Sequence, residues 1–330
     1  MIEYKKKYNK LLLIDTSNLM HRCLTTPALF ALTNGINVTG GVFGVLKILI
    51  SEIRQCTEYF PIALFDGGLS PRRLKIYEDY KGNASREPLP VLTPEEAKED
   101  YLTQYRYTRT VLLDLLPKFG IPAIRIREWE CDDLIYILTK LCSKCRILSE
   151  DRDYVQLVSP TCEIRRPKSG ELITINNFSD ITGYANTDEF LKAKIVLGDT
   201  SDKIPSCTKG VGEKTVTNFI KLLNETQGNY TRDEKELKKL CEEKDIKYRK
   251  AFINFNKEEY IRNMQLIDLK LVDLDVQQNI IDSMEAQIDN ARPEDNLFGI
   301  TSTLNLLKIT SLDYTGLINY VKMTIPNKNI

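Results

Sequence analysis

The chain has 330 residues, more than one compact domain usually holds, so two domains or one elaborated domain are expected. Its 46 basic and 46 acidic residues cancel, which argues against a histone-like DNA coater but not against a nucleic-acid enzyme with locally sorted charge. At 42% hydrophobic and 28% charged residues, global disorder is excluded.

Near the amino terminus, only Leu11 to Ile14 are continuously apolar before Asp15, too few for a signal-peptide core. The longer run from Val42 to Ile50 is broken by Lys47 and is no membrane span, so a cytoplasmic protein without membrane association is expected. Leu11 to Ile14 reads as a buried parallel strand closed by Asp15. The single histidine, His21, follows and reads as a packing or surface residue. A helix over Gly41 to Thr57 comes next, then a second strand over Pro61 to Phe65, closed by Asp66. The stretch from 67 to 94 holds Gly67, Gly68 and several prolines around Arg72, Arg73, Lys75, Lys81 and Arg86. Between 72 and 86 only Glu78 and Asp79 oppose these five cations, and Tyr77 and Tyr80 interleave, so a functional basic loop is expected. Helices over Pro94 to Lys118 and Glu130 to Leu141 follow. A third strand over Cys145 to Ser149 precedes Asp151 and Asp153.

The eight cysteines are scattered, and reduced thiols are expected. Cys142-Ser-Lys-Cys145 has redox and zinc spacing, but it lacks a second pair and sits before a strand, so it reads as structural. The alternation of strands and helices predicts an α/β fold with a parallel sheet and crossover helices. From Asp199 the composition changes to polar helical pattern. It includes a charge-dense stretch, Thr231 to Lys250, with eight basic and six acidic residues, read as a solvated face.

The acidic residues carry the chemistry. In a parallel sheet all strand carboxyl ends share one edge, so Asp15, Asp66, Asp151 and Asp153 are delivered to one rim. Glu130, Asp132 and Asp133 join them from a helix start, and Asp199 and Asp202 from one face of a turn. Each has an ordinary alternative as a cap or dipole partner. Together they cannot all stay ionised without counter-charge. Oxygen donors without His or Cys favour Mg²⁺ or Mn²⁺, and two such ions suit phosphodiester hydrolysis. Lys203, Lys209, Gly210, Gly212, Lys214 and Thr215 follow directly. Gly-Val-Gly before a helix can bring backbone N–H groups to a phosphate without reading sequence.

At these residues the chain resembles the flap endonuclease/5′→3′ exonuclease nucleases, most nearly the stand-alone phage type that includes phage RNase H. The resemblance runs through Ile14-Asp15-Thr16-Ser17-Asn18-Leu19 to Arg22, Leu64-Phe65-Asp66 and Tyr80-Lys81-Gly82-Asn83. It continues through Glu130-Cys131-Asp132-Asp133, Ser149-Glu150-Asp151-Arg152-Asp153 and Gly198-Asp199-Thr200-Ser201-Asp202, to Gly210-Val211-Gly212-Glu213-Lys214-Thr215. It covers roughly residues 11 to 225. It implies a PIN-like α/β nuclease core with a helical arch region. It also implies a helix-three-turn-helix (helix-hairpin-helix) DNA clamp that binds a potassium ion. The expected division is 1–198 for the core, with loop 67–94, and 199–330 for the clamp and a C-terminal helical region.

The implied activity is Mg²⁺-dependent 5′→3′ exonuclease and flap endonuclease cleavage, with removal of RNA primers during DNA replication. Asp15, Asp66, Glu130, Asp132 and Asp151 would be nearer metal ligands, and Asp133, Asp153, Asp199 and Asp202 would complete a second site. Lys81 would stabilise charge at the scissile phosphate beside Tyr80, and Arg22 would line the site. Arg72, Arg73 and Lys75 would meet DNA at the arch. Many relatives carry Arg directly after the Tyr-Lys-Gly-Asn run. Here Ala84 stands there, leaving Arg86 as the candidate. The expected partners are DNA and RNA–DNA duplexes with 5′ ends, flaps or nicks. A single-strand-binding protein, polymerase or sliding clamp would recruit a monomeric enzyme. The competing readings are a junction-binding protein without catalysis and a PIN-type RNase.

Overall fold

A computed structural model describes residues 4–82, 94–225, 254–291 and 297–324. Arg86, Cys241 and the charge-dense stretch 231–250 lie outside the described residues. Among the described residues, six strands form one sheet: β1 (Tyr8–Asp15), β2 (Phe60–Leu64), β3 (Ala123–Ile124), β4 (Cys142–Leu148), β5 (Cys162–Arg165) and β6 (Leu172–Ile173). Their order is β3-β2-β1-β4-β5-β6, parallel throughout except for the antiparallel β5–β6 pair.

Strand alternation explains why the central runs are apolar without a break. Leu11 and Leu13 of β1 enter one core with Phe60, Ile62 and Leu64, whereas Leu12 and Ile14 enter the other with Ala63 and Phe65. A strand buried on both faces needs apolar residues at every position. The second core is covered by α1 (Thr16–Thr25), α3 (Gly40–Gln55) and α5 (Pro94–Lys118), with α2 (Pro27–Phe30) beside them. Against the first core pack α6 (Cys131–Leu141), α8 (Thr187–Leu197) and α9 (Glu213–Glu225). The short α4 (Pro71–Ile76) and α7 (Phe178–Thr182) lie in the connections.

The described helices after α9 divide between the two faces. Helix α10 (Lys257–Ile267) and α11 (Gln278–Asn290) join the first core through Tyr260, Leu266, Ile281 and Met284. Helices α12 (Phe298–Leu306) and α13 (Tyr314–Thr324) join the second through Ile300, Leu304, Leu317 and Val321. Packing is therefore continuous across the expected division at residue 198.

Candidate active site

The site is built where the strand order reverses, on either side of β1. From β1 the chain crosses to β2 on one side, while β4 pairs on the other, which leaves a crevice above their carboxyl ends. Ile14 pairs with Leu148 and Asp15 with Leu64, so Asp15, Asp66 and the Ser149–Asp153 turn emerge side by side. A cavity of about 200 Å³ opens here, lined by Asp15, Asp66, Asp132, Asp151, Asp153, Asp199 and Asp202. Seven of the nine expected carboxylates thus share one space.

Asp15 has two jobs at once. Its Oδ1 accepts the Asn18 N–H at 2.9 Å and caps α1. Its Oδ2 accepts the hydroxyls of Ser149 at 3.0 Å and Tyr154 at 3.1 Å. Burial and the charges of Asp66 and Asp151 push Asp15 up to about 7, against the opposing pull of Asn18 and Ser149. Asp66 is held by the Cys131 N–H at 2.9 Å, while its own N–H donates to Ser17 Oγ at 2.9 Å. Burial raises it as well, although Lys81 opposes the shift.

The α6 carboxylates divide by direction. Asp132 faces the cavity. Burial would raise it, yet Arg73 and Lys81 outweigh burial and hold it below the usual range. Asp133, expected at the second metal, turns away and receives both guanidinium nitrogens of Arg73, at 2.8 and 2.9 Å. Glu130 lies buried beneath the cavity. Its Oε1 accepts the Ser70 N–H at 3.0 Å, and its Oε2 accepts Tyr80 OH at 3.0 Å and Lys81 Nζ at 2.6 Å.

Arg73 is only 1% exposed and also pairs with Glu130 at 3.4 Å and Asp132 at 3.3 Å, so it is no DNA contact. Taking the guanidinium out of water is costly, and its pairing with three carboxylates offsets that cost. Arg72 is likewise engaged, with Asp275 at 2.8 Å and the Gln265 carbonyl at 2.8 Å. Of the three arch cations expected to meet DNA, only Lys75 is exposed.

Lys81 sits at the rim in a left-handed conformation (φ +52°), and its N–H donates to the Asp202 carbonyl at 3.0 Å. Burial, partly offset by Lys81, and the charge of Asp199 push Asp202 up to about 6. On the other side, the Lys194 ammonium lies between Asp153 and Asp199, 3.0 Å from the latter. Asp199 also holds its own turn, accepting the Ser201 N–H at 2.8 Å. The turn needs Gly198: its φ is +71°, and a Cβ there would lie 2.3 Å from the Ile204 carbonyl oxygen.

Between α8 and α9, Lys203 and Lys209 are exposed and Gly210 has φ +87°; Lys214, in the first turn of α9, is exposed as well. The Gly212 N–H, expected to face a phosphate, instead donates to Thr215 Oγ1 at 3.0 Å, and the Thr215 hydroxyl donates back to the Gly212 carbonyl at 3.2 Å. A cleft of about 620 Å³ joins Asp151, Asp153 and Asp199 to Gly212.

Several residues that line the cavity were given no site role in the sequence. His21 lines the carboxylate cavity, with Nδ1 2.6 Å from Tyr101 OH, rather than serving only as packing. Ser17, Asn18, Tyr105 and Tyr154 line it too. Tyr101 and Tyr105 stand four residues apart on α5, a helical spacing that was available in the sequence. Lys194 carries no local signal at all. Arg22, expected in the site, pairs with Glu150 at 2.8 Å instead of lining the cavity. Among the described residues, no three acidic, His or Cys side chains converge tightly enough to hold a metal ion as they stand.

Residues 10–183 match the family described as 5′-3′ exonuclease, N-terminal resolvase-like domain. The DNA polymerase I of Streptococcus pneumoniae (TIGR4) is 32% identical over 232 residues, covering 66% of this chain and 24% of that protein. The chain therefore spans about a quarter of the length of the polymerases it matches. A 5′-3′ exonuclease of Aquifex aeolicus is 26% identical over 215 residues, covering 64% of this chain and 68% of that one. Among solved structures, the T5 D15 protein co-crystallised with metal ions aligns with a TM-score of 0.64 at 19% identity, over 86% of this chain and all of that one. Flap endonuclease-1 from Methanococcus jannaschii aligns with a TM-score of 0.51 at 16% identity, over 97% of this chain and 92% of that one. The fold is that of the PIN-like flap nucleases.

Proposed function

The chain belongs to the family of 5′-3′ exonuclease N-terminal, resolvase-like domains, and from that membership we propose that it is a structure-selective 5′ nuclease. Its reaction is divalent-metal-dependent hydrolysis of phosphodiesters in DNA and RNA–DNA duplexes that carry 5′ ends, flaps or nicks. The observation that carries this reading is the single cavity lined by seven carboxylates at the sheet's switch point. Several of them are pushed upward by burial and by one another, which is the electrostatic condition that a bound cation relieves.

The donor set fits a hard ion. Asp15, Asp66, Asp132 and Asp151 offer oxygen alone, and the buried thiol of Cys131 is pushed well above its ordinary range by burial. Mg²⁺ is the ion such donors favour, with Mn²⁺ as a substitute. Bound there, it would supply Lewis acidity and water ionised near neutral pH. Asp153, Asp199 and Asp202 would complete a second position, with Lys194 moving away from the first two.

The remaining roles belong to the chain. Lys81, held at the rim by Glu130 and Asp202, is placed to meet the negative charge that grows on a phosphoryl group in the transition state. Tyr80 fixes the same two carboxylates from below. The exposed Lys203, Lys209 and Lys214 would hold the duplex by its backbone, as expected of a helix-hairpin-helix clamp. Incubation with a labelled 5′-flap DNA duplex and, separately, a single-stranded RNA tests the reading. Cleavage of the flap duplex near its junction in Mg²⁺, abolished by EDTA, is expected. Preferential cutting of the RNA would make the protein a PIN-type RNase instead.

A further inference from the structure

We infer that helix α10, Lys257–Ile267, is the spacer that fixes which linkage is cut relative to the duplex held by the 204–212 loop, with Asn263 as its positioning residue. The inference rests on the nuclease reading above and adds a determinant of cleavage position to it.

One part of the helix grips the loop. Asn263 is fully buried, and its side-chain amide donates to the Pro205 carbonyl at 2.7 Å and the Ile195 carbonyl at 3.1 Å, with Cys207 Sγ at 3.3 Å. An amide buried this completely is costly unless paired, so its three contacts fix one arrangement of α8, the loop and α10. A second grip comes from the Asn256 N–H, which donates to the Cys207 carbonyl at 2.8 Å. The loop segment held in this way leads directly to Lys209 and Gly210.

The other end of the helix is bound to the site. The last carbonyls of any helix lack partners within it. Here Gln265 O accepts from Arg72 at 2.8 Å, Leu266 O from Arg73 at 3.2 Å and Ile267 O from Gln156 at 3.1 Å. Arg73 is the residue that pairs with Glu130, Asp132 and Asp133. Gln156 belongs to the 3-10 turn Arg152–Leu157 that follows Asp151 and contains Asp153, and its Oε1 also accepts the Leu269 N–H at 3.0 Å. Asn263 Oδ1 accepts Arg262 Nη2 at 3.1 Å, and that guanidinium lies 4.8 Å from the centre of the Tyr77 ring, at the end of α4. Asn263, which holds the loop, therefore lies within about one turn of the carbonyls of Gln265, Leu266 and Ile267, which hold the carboxylate-bearing segments.

A helix is stiff over this length, and one turn rises about 5.4 Å. Successive phosphates of a duplex strand are about 3.4 Å apart along the axis. Slack of a few ångströms between loop and carboxylates is then enough to present a neighbouring linkage. The experiment maps product lengths at single-nucleotide resolution, under single-turnover conditions in Mg²⁺, from one 5′-labelled flap duplex. Wild type, Asn263→Ala and Gln156→Leu are compared, with the folded fraction of each measured by circular dichroism. Gln156→Leu loosens the far end and leaves the Asn263 contacts in place, so it reports even where Asn263→Ala does not fold. The expected result is one dominant product from wild type and cuts spread over adjacent linkages from the variants, with the rate at the original linkage reduced about tenfold. A folded variant that cuts only at the wild-type linkage would overturn the inference, whatever its rate. Wild-type protein that leaves the flap uncut would remove the nuclease reading and this one with it.

Discussion

Asp15 is a helix cap and a cavity wall in the same conformation, and that combination has a measurable consequence. Its carboxyl is pushed from 3.8 to about 7 by burial and by Asp66 and Asp151. In the unfolded chain it would titrate near its ordinary value. Between those two values the folded state binds the proton more tightly, so its contribution to stability is present at low pH and lost as pH rises from about 4 through 7. Asp202, pushed up to about 6, acts in the same direction. A divalent cation favours the ionised forms and reverses the trend. The melting temperature of protein in EDTA should therefore fall between pH 5 and pH 8, and added Mg²⁺ should raise it more at pH 8 than at pH 5. An Mg²⁺ increment that is equal at both pH values would disconnect the ion from these carboxylates. At this scale the sequence was legible in an uneven way. Asp15, Asp66 and Asp151 could be placed because each follows an apolar run. The inward turn of Arg73 and the reach of Lys194 across to Asp153 and Asp199 could not, since both depend on tertiary neighbours.

Arg73 shows how an element is read wrongly when its cap is overlooked. Ser70 and Pro71 are a helix start, with Ser70 Oγ accepting the Arg73 N–H at 3.4 Å and Pro71 in the first turn. Within an expected basic loop, Arg72, Arg73 and Lys75 were all assigned to DNA. As helix α4, the segment turns Arg73 inward to Asp133 while Lys75 stays out. Replacing Arg73 with methionine would strand the buried charges of Asp133 and Glu130, at a cost of about 3–5 kcal/mol. Urea denaturation should register that loss, and Arg73→Met combined with Asp133→Leu should recover part of it. Equal stabilities of wild type and Arg73→Met would mean the pair is not what holds α4 to α6. The strands show the same dependence on length. The apolar runs of β1, β2 and β4 were visible, whereas β3, β5 and β6, of two to four residues, carry too few positions for a pattern.

Over the whole molecule, the segments least legible in the sequence are those that pack across the others. The final helices divide between the two sheet faces, and α10 ties the α8–α9 loop to the carboxylate segments. The two hydrogen bonds that make this tie join residues 58 and 193 positions apart, and local periodicity holds no record of such contacts. The parallel sheet, by contrast, was implied by the alternation of elements, and its carboxyl edge by the positions of the acids. That edge carries the central claim, that it is a metal-dependent nuclease centre. The most direct test uses one labelled 5′-flap duplex whose downstream strand begins with RNA, incubated with protein in Mg²⁺, in EDTA, and with the Asp151→Asn variant. Cleavage near the junction in Mg²⁺ alone, lost in the variant, is the predicted result. Tight binding with no product in any condition would instead make the chain a junction-binding protein and contradict the reading of the carboxylates.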